Sequence, residues 1–214
     1  MKKVCLFAFL LAVASANLAA DLTNFPVTRE QVNCLADKGV TKLILEVSDE
    51  KGNIKAEFFD GYNFAQDAGI AIDAIVIVND ALTPSELSSS MASVLSSHFS
   101  GTIWFQVLSS PKLWSQSVNK RLAYLDKLIL SCKKYGLNVG IYSDAKAWKS
   151  VFGGQHVGSD ILKSVPVWYV NDNGIQSFDD FSESGFGTWT EASLKNFEAY
   201  PFECDNWITS LNFY

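Results

Sequence analysis

Histidine is scarce in this chain of 214 residues: there are two, His98 and His156. No His/Cys cluster has zinc-ligand spacing, so a metal site is not expected, and nothing implies another cofactor. No Gly-rich phosphate loop follows the first strand-like segment, which argues against nucleotide binding. No Asn-x-Ser/Thr sequon occurs, so N-glycosylation is not expected. No apolar run reaches the roughly 20 residues that span a bilayer, which excludes a membrane anchor. A positive surplus is also missing: 17 Lys and Arg stand against 23 Asp and Glu, a net charge of −6. Such a chain gains no long-range attraction to nucleic acid or to anionic membranes. It is not a simple cationic antimicrobial.

The first residues form a leader. Lys2 and Lys3 precede an apolar run from Val4 to Val13, and Ala14-Ser15-Ala16 supplies the small-x-small pattern of a signal-peptidase site. Cleavage is expected after Ala16, with Ala20 as the alternative. The protein is then secreted, or delivered to the lumen of the secretory or endolysosomal pathway. Loss of Lys2 and Lys3 leaves 15 basic and 23 acidic residues, a charge of −8. Residues 17–214 suit one domain with a sizeable core, expected to be a monomer. Cys5 leaves with the leader, so Cys34, Cys132 and Cys204 remain. An odd number permits at most one internal disulfide. Cys132 lies on the apolar stripe of a helix and suits a buried free thiol, which leaves Cys34 and Cys204 as the pair.

Short apolar runs alternate with capped amphipathic stretches. Thr28 with Gln31 forms a capping box for a helix that Gly39 stops. Thr83-Pro84-Ser85-Glu86 is a second helix start. Val118, Leu122, Leu125, Ile129 and Cys132 recur at helical spacing up to Gly136. Ser143 is expected to cap a helix through Phe152. Helices are also expected over Tyr62–Ala68 and Thr190–Phe197. Strands are expected to end at Asp21-Leu22 and to cover Lys42–Val47, Ile70–Val78, Thr102–Leu108, Leu137–Tyr142, Val165–Val170 and Trp207–Phe213. They are apolar throughout, as when both sheet faces are buried. The fold class is therefore α/β, an irregular TIM-like β/α barrel with about seven parallel strands. In such a barrel the site lies at the carboxyl ends of the strands. Those ends carry Asp21, Glu46, Gln106, Leu108, Tyr142, Ser143, Trp168, Tyr169, Asn171 and Asn212.

Several segments, in order, resemble a known family. Ala20-Asp21-Leu22-Thr23, Gln31 to Gly39, Ala68 to Ala74, Ile103-Trp104, Gly136 to Ser143, Pro166 to Tyr169 and Leu211 to Tyr214 together resemble the glycoside hydrolase family 25 lysozymes. The likeness is to the secreted branch of nematodes and amoebae. It implies action on bacterial cell-wall glycan and a role in innate defence. The family cuts peptidoglycan with carboxylates at the barrel mouth, and its fourth strand reads like I-W-x-D-x-E. Residues two apart on a strand share a face, so that strand aims two acids at one glycosidic bond, as this chemistry needs.

Here the strand reads Ile103-Trp104-Phe105-Gln106-Val107-Leu108. Gln106 stands where the resemblance places Asp, and Leu108 where it places Glu. No Asp or Glu lies between Glu86 and Asp126, so no shift of register restores an acid. An amide hydrogen-bonds a sugar but moves no proton at neutral pH, and leucine does neither. In the final strand Ser210 stands near where the family has another Asp. Asp21 is the surviving carboxylate, either a catalytic remnant or a structural strand-end Asp. Glu46 is a substitute acid or an ion-pair partner, and Asp73 is structural. Gln106, Tyr142, Trp168, Tyr169 and Asn171 are the expected sugar-binding residues. The reading is a lysozyme-like protein that is impaired or inactive as an enzyme and binds wall glycan. Two alternatives stay open: a muramidase using Asp21 with Glu46 or Asp172, and an interaction protein without a glycan groove.

Overall fold

The structure, a computed structural model, describes residues 17–23, 26–95, 99–199, 204 and 210–214. The expected leader, residues 1–16, and residues 207–209 of the expected last strand lie outside these. Eight strands close into one barrel in sequence order. They are β1 (Leu18–Leu22), β2 (Val40–Ser48), β3 (Ala71–Ile77), β4 (Thr102–Gln106), β5 (Asn138–Ser143), β6 (Val167–Val170), β7 (Leu194–Ala199) and β8 (Ser210–Phe213). The helices are α1 (Arg29–Asp37), α2 (Glu57–Asp67), α3 (Pro84–Leu95), α4 (Val118–Lys134), α5 (Ala145–Phe152), α6 (Asp160–Lys163) and α7 (Phe181–Ser184).

The strong sequence signals are realised. Thr28 and Gln31 cap α1 reciprocally, and Thr83 and Glu86 do the same at the start of α3. Gly39 and Gly136 follow α1 and α4 with φ of 86° and 73°, where other residues are strained. Helix α4 buries Tyr124, Leu125, Leu128, Ile129 and Cys132. Each large side chain buried this way contributes at most about 2–3 kcal/mol.

Other expectations need correction. β8 runs antiparallel to both neighbours, so the barrel is parallel only from β1 to β7. Thr190–Phe197 is not a helix: Leu194–Ala199 is β7. Helix α2 begins at Glu57, ahead of the expected Tyr62, because Ala56 offers no side-chain cap to mark the start. Asp144, not Ser143, caps α5 through a 2.8 Å bond from the Ala147 amide. Ser143 instead donates 2.9 Å to the Val107 carbonyl and ties β5 to the chain leaving β4.

Two apolar layers hold the barrel. Most buried side chains pack between strands and helices. A small inner cluster fills the barrel itself: Ala19, Ile44, Ile75, Trp104, Trp168 and Leu194. Gly140 faces Trp104 in register. A Cβ on Gly140 would lie 2.5 Å from that indole, so only glycine admits the ring. Below this layer Asp73 accepts from Trp104 Nε1 at 3.0 Å and pairs with Lys42 at 3.2 Å. Lys42 in turn lies 4.1 Å from the centre of the Tyr214 ring. Asp73 thus closes the floor of the barrel, away from the mouth. Cys34 on α1 is bonded to Cys204, between β7 and β8, with Cα atoms 6.0 Å apart. Cys132 is buried and free. Among the described residues no helix is long and apolar enough to cross a membrane.

Candidate active site

The period of two along each strand dictates what the mouth displays. Asp21, Glu46, Gln106, Tyr142 and Asn196 each stand two residues beyond Ala19, Ile44, Trp104, Gly140 and Leu194, which line the interior. They therefore face inward at the carboxyl ends. Because β8 is antiparallel, its first residue, Ser210, reaches this rim, opposite Asp21 in register.

Asp21 is buried, and its carboxylate accepts from Ser210 Oγ and, at 3.1 Å, from Asn212 Nδ2. Asn196 Nδ2 donates to Ser210 Oγ at 2.5 Å and so steadies it. Burial pushes the Asp21 carboxyl above its ordinary value, outweighing the hydrogen bonds that lower it. The Tyr142 phenol is also raised, first by burial and then by the negative Asp21 nearby, against a hydrogen bond with the Asn196 side chain. Tyr142 stacks on Trp168 with ring centres 3.8 Å apart, and Trp168 meets Trp104 edge-on at 5.8 Å.

Asp21 pairs with Ile44 in the β1–β2 register. Strand spacing and rise then put the Cα atoms of Asp21 and Glu46 about 8 Å apart. The Glu46 carboxylate is engaged by Lys55 Nζ at 2.7 Å. A bulge between Glu46 and Ser48 bends β2 there. Strand β4 brings Gln106 to the rim. Leu108 lies past its end, half-buried against the main core, and its carbonyl accepts from Trp114 Nε1 at 2.8 Å.

Three expected sugar contacts lie elsewhere. Trp168 is fully buried under Tyr142, so no sugar reaches its face. Tyr169 points to the opposite side of β6, buried against Phe181 of α7. Its hydroxyl donates to Asp180 at 2.5 Å. Asn171 also turns to Asp180, at 2.6 Å. Asp172, the rival catalytic partner, is exposed and accepts from the Ala199 amide at 3.3 Å. Asp180 is a hub that sequence reasoning missed. It takes Lys195 Nζ at 2.7 Å, and that lysine is fully buried. Partial desolvation pushes Asp180 up, but Lys195, Tyr169 and Asn171 together hold it below its usual value. Ser210 and Asn196 were missed as site residues because their role depends on the reversed direction of β8. Among the described residues, no group of three or more His, Cys, Asp or Glu is placed to hold a metal ion.

The chain and its barrel match known proteins. The model of the lysozyme-like protein 1 family covers residues 12–197. The chain belongs to that family. It is similar to probable GH family 25 lysozyme 4 of Dictyostelium discoideum, with 28% identity over 175 residues, 80% of this chain and 78% of that protein. It is also similar to lysozyme-like protein 1 of Caenorhabditis elegans, with 28% identity over 209 residues, 89% of this chain and 66% of that one. Among solved structures, a bacterial lysozyme from Streptomyces coelicolor superposes with a TM-score of 0.75 at 13% identity, covering 93% of this chain and 92% of that chain. A family GH25 lysozyme from Aspergillus fumigatus gives 0.72 at 11% identity, covering 93% of each chain. At such identities the likeness establishes the fold: this lysozyme-like chain has the family 25 barrel.

Proposed function

We propose that this lysozyme-like protein binds bacterial cell-wall glycan outside the cell that makes it, in innate defence, with little or no hydrolysis. The observation that carries this is β4. It delivers Gln106 to the rim, and the chain leaving it lays Leu108 half-buried against the core, where the family resemblance places two acids. Loss of a general acid alone lowers a rate about 10²–10⁴-fold. The groups left at the rim suit sugar hydroxyls. Gln106 donates and accepts, Asp21 accepts, and Tyr142 offers a half-exposed aromatic edge with a hydroxyl. Export belongs to the same proposal. Cleavage after Ala16 leaves β1 whole, whereas cleavage after Ala20 removes Leu18, Ala19 and Ala20 from a strand paired on both sides. The secreted protein should therefore begin at Asn17, which mass spectrometry reads directly.

The muramidase reading is supported by the proximity of Asp21 and Glu46, and by the raised Asp21 carboxyl, a property of general acids. Opposing it is the engagement of Glu46 by Lys55. A sedimentation assay with purified peptidoglycan tests binding. Retention should fall about five- to tenfold in Tyr142→Ala, which removes a stacking and hydrogen-bonding group. Absence of retention by the wild type would favour the interaction-protein reading instead.

A further inference from the structure

The acidic balance of the whole chain conceals a basic flank. Residues 112–163 carry nine Lys and Arg against three Asp and Glu. The rest of the chain carries eight against twenty. That stretch holds α4, α5 and α6, and α4 packs against both of the others. Its lysines are exposed, and none of the ion pairs found among the described residues uses one. Two of its three acids are turned to internal bonds: Asp126 accepts from Ser159, and Asp144 caps α5.

The positive charge is ordered along α4. Lys120, Lys127 and Lys134 recur every seven residues and form one exposed row along the helix, at the edge of the buried stripe rather than within it. Seven residues of helix advance about 10 Å, so three ammonium groups form a line about 20 Å long. Leu130, 45% exposed, lies within it. Lys127 and Lys134 also line a groove of about 400 Å³ between α3 and α4, together with Thr83, Ser85, Leu130 and Ser131. Among the described residues no carboxylate lines that groove. Glu86, in the first turn of α3, is bonded back to the Thr83 amide. The groove offers cations and the hydroxyls of Thr83 and Ser85, the Ser131 hydroxyl being bonded to Ser88, which suits a chain of regularly spaced anions.

We propose that the α3–α6 flank docks a polyanionic polymer with a phosphodiester backbone, of the kind that accompanies glycan in bacterial walls. This rests on the wall-binding reading above. The flank holds the protein on the wall, while the mouth meets the glycan. Charge complementarity selects the occupant. A line of lysines matches repeated phosphates, and the acidic remainder of the surface repels the polymer elsewhere. Binding of this type weakens steeply with salt, by about 0.7 in log K per log salt for each neutralised phosphate of a single strand.

The test titrates the full mature chain with poly(glycerol phosphate) between about 50 and about 200 mM salt. The wild type should bind at low salt and lose affinity steeply. The triple variant Lys120→Gln, Lys127→Gln, Lys134→Gln changes exposed side chains only. At about fivefold per lysine it should bind about a hundredfold more weakly, with a shallower salt slope. Retention on glycan stripped of phosphodiester polymer should be the same in both proteins, which separates this site from the mouth. No binding by the wild type, or equal binding by the triple variant, would overturn the proposal. Equal affinity for single-stranded DNA of matched charge would overturn it in favour of a nucleic-acid site. Lysine-dependent self-association at low salt would overturn it in favour of a second copy of the chain.

Discussion

Removing the charge on Asp180 should destabilise the protein more than removing the charge on its partner Lys195. The ammonium of Lys195 has no exposed surface, whereas the Asp180 side chain is 25% exposed. In Asp180→Asn the buried cation keeps the Ser177 carbonyl, at 3.1 Å, the Tyr169 ring at 5.8 Å and a neutral amide, but no countercharge. An unpaired buried charge of this kind costs about 3–5 kcal/mol. The partial exposure of Asp180 places this case near the lower end, at about 3 kcal/mol. For a domain of this size that lowers the melting temperature by about 6–12 °C. In Lys195→Met the remaining carboxylate still receives Tyr169, Asn171 and Asn173, and it reaches water. Its loss should be about half as large, and the double variant should recover part of the Asp180→Asn loss, since replacing both members of a buried pair is often nearly neutral. Urea melts followed by far-ultraviolet circular dichroism measure all three. The folded-state pKa of Asp180 is depressed, so its contribution is present above the unfolded value near 3.8. That contribution is lost as pH falls through the folded pKa. The gap between wild type and Asp180→Asn should narrow below about pH 4. Lys195→Met worse than Asp180→Asn, or a gap that widens in acid, would refute the reasoning.

Asp21 has the opposite sign. Its folded-state pKa is raised, so the wild type loses stability as pH rises from the unfolded value near 3.8 through the folded one. The stability of Asp21→Asn relative to the wild type should grow over that window, as paired thermal melts between acid and neutral pH would record. Cys204→Ser opens a link between residues 170 positions apart. Loop entropy gives about 5 kcal/mol for a loop of that length, so melting should fall sharply, and reductant should destabilise the wild type alone. The Cys132 thiol is fully buried, and burial raises its pKa to about 12. A thiol reagent at neutral pH should modify it only at the rate at which the protein unfolds, with no reaction in the native baseline.

What was legible in the sequence was whatever local chemistry decides. The capping boxes at Thr28 and Thr83 and the apolar β2 and β3 are local patterns that formed as read, and the stripe of α4 is buried at Leu125, Ile129 and Cys132, while Val118 stays exposed and Leu122 half-buried. β7 was misread because Lys195 and Asn196 interrupt its apolar run, while Leu194 and Phe197 sit three apart as on a helix. Lys195 is buried only because Asp180, on a distant loop, neutralises it. Asn196 is buried because Ser210 accepts its amide and the Tyr142 hydroxyl also bonds its side chain. All these partners are supplied by tertiary structure. The reversal of β8 hid the site in the same way. It exchanges Asn212 for Ser210 at the rim and leaves Asn212 to support Asp21 from beneath. Trp168, Tyr169 and Asn171 looked alike as polar or aromatic residues ending a strand. The alternation of β6, and the position of Asp180 outside the barrel, then separate the buried Trp168 from the outward Tyr169 and Asn171.

The proposal that Gln106 and Leu108 stand where the family has acids is the premise of the functional account. Release of reducing ends from purified peptidoglycan by the pure mature protein tests it, with Asp21→Asn and Glu46→Gln run in parallel. The account predicts release no faster than the buffer blank for all three proteins, while the wild type still sediments with the glycan. Sustained release by the wild type that is abolished in either variant would contradict it, and would make Asp21 and Glu46 a working catalytic pair.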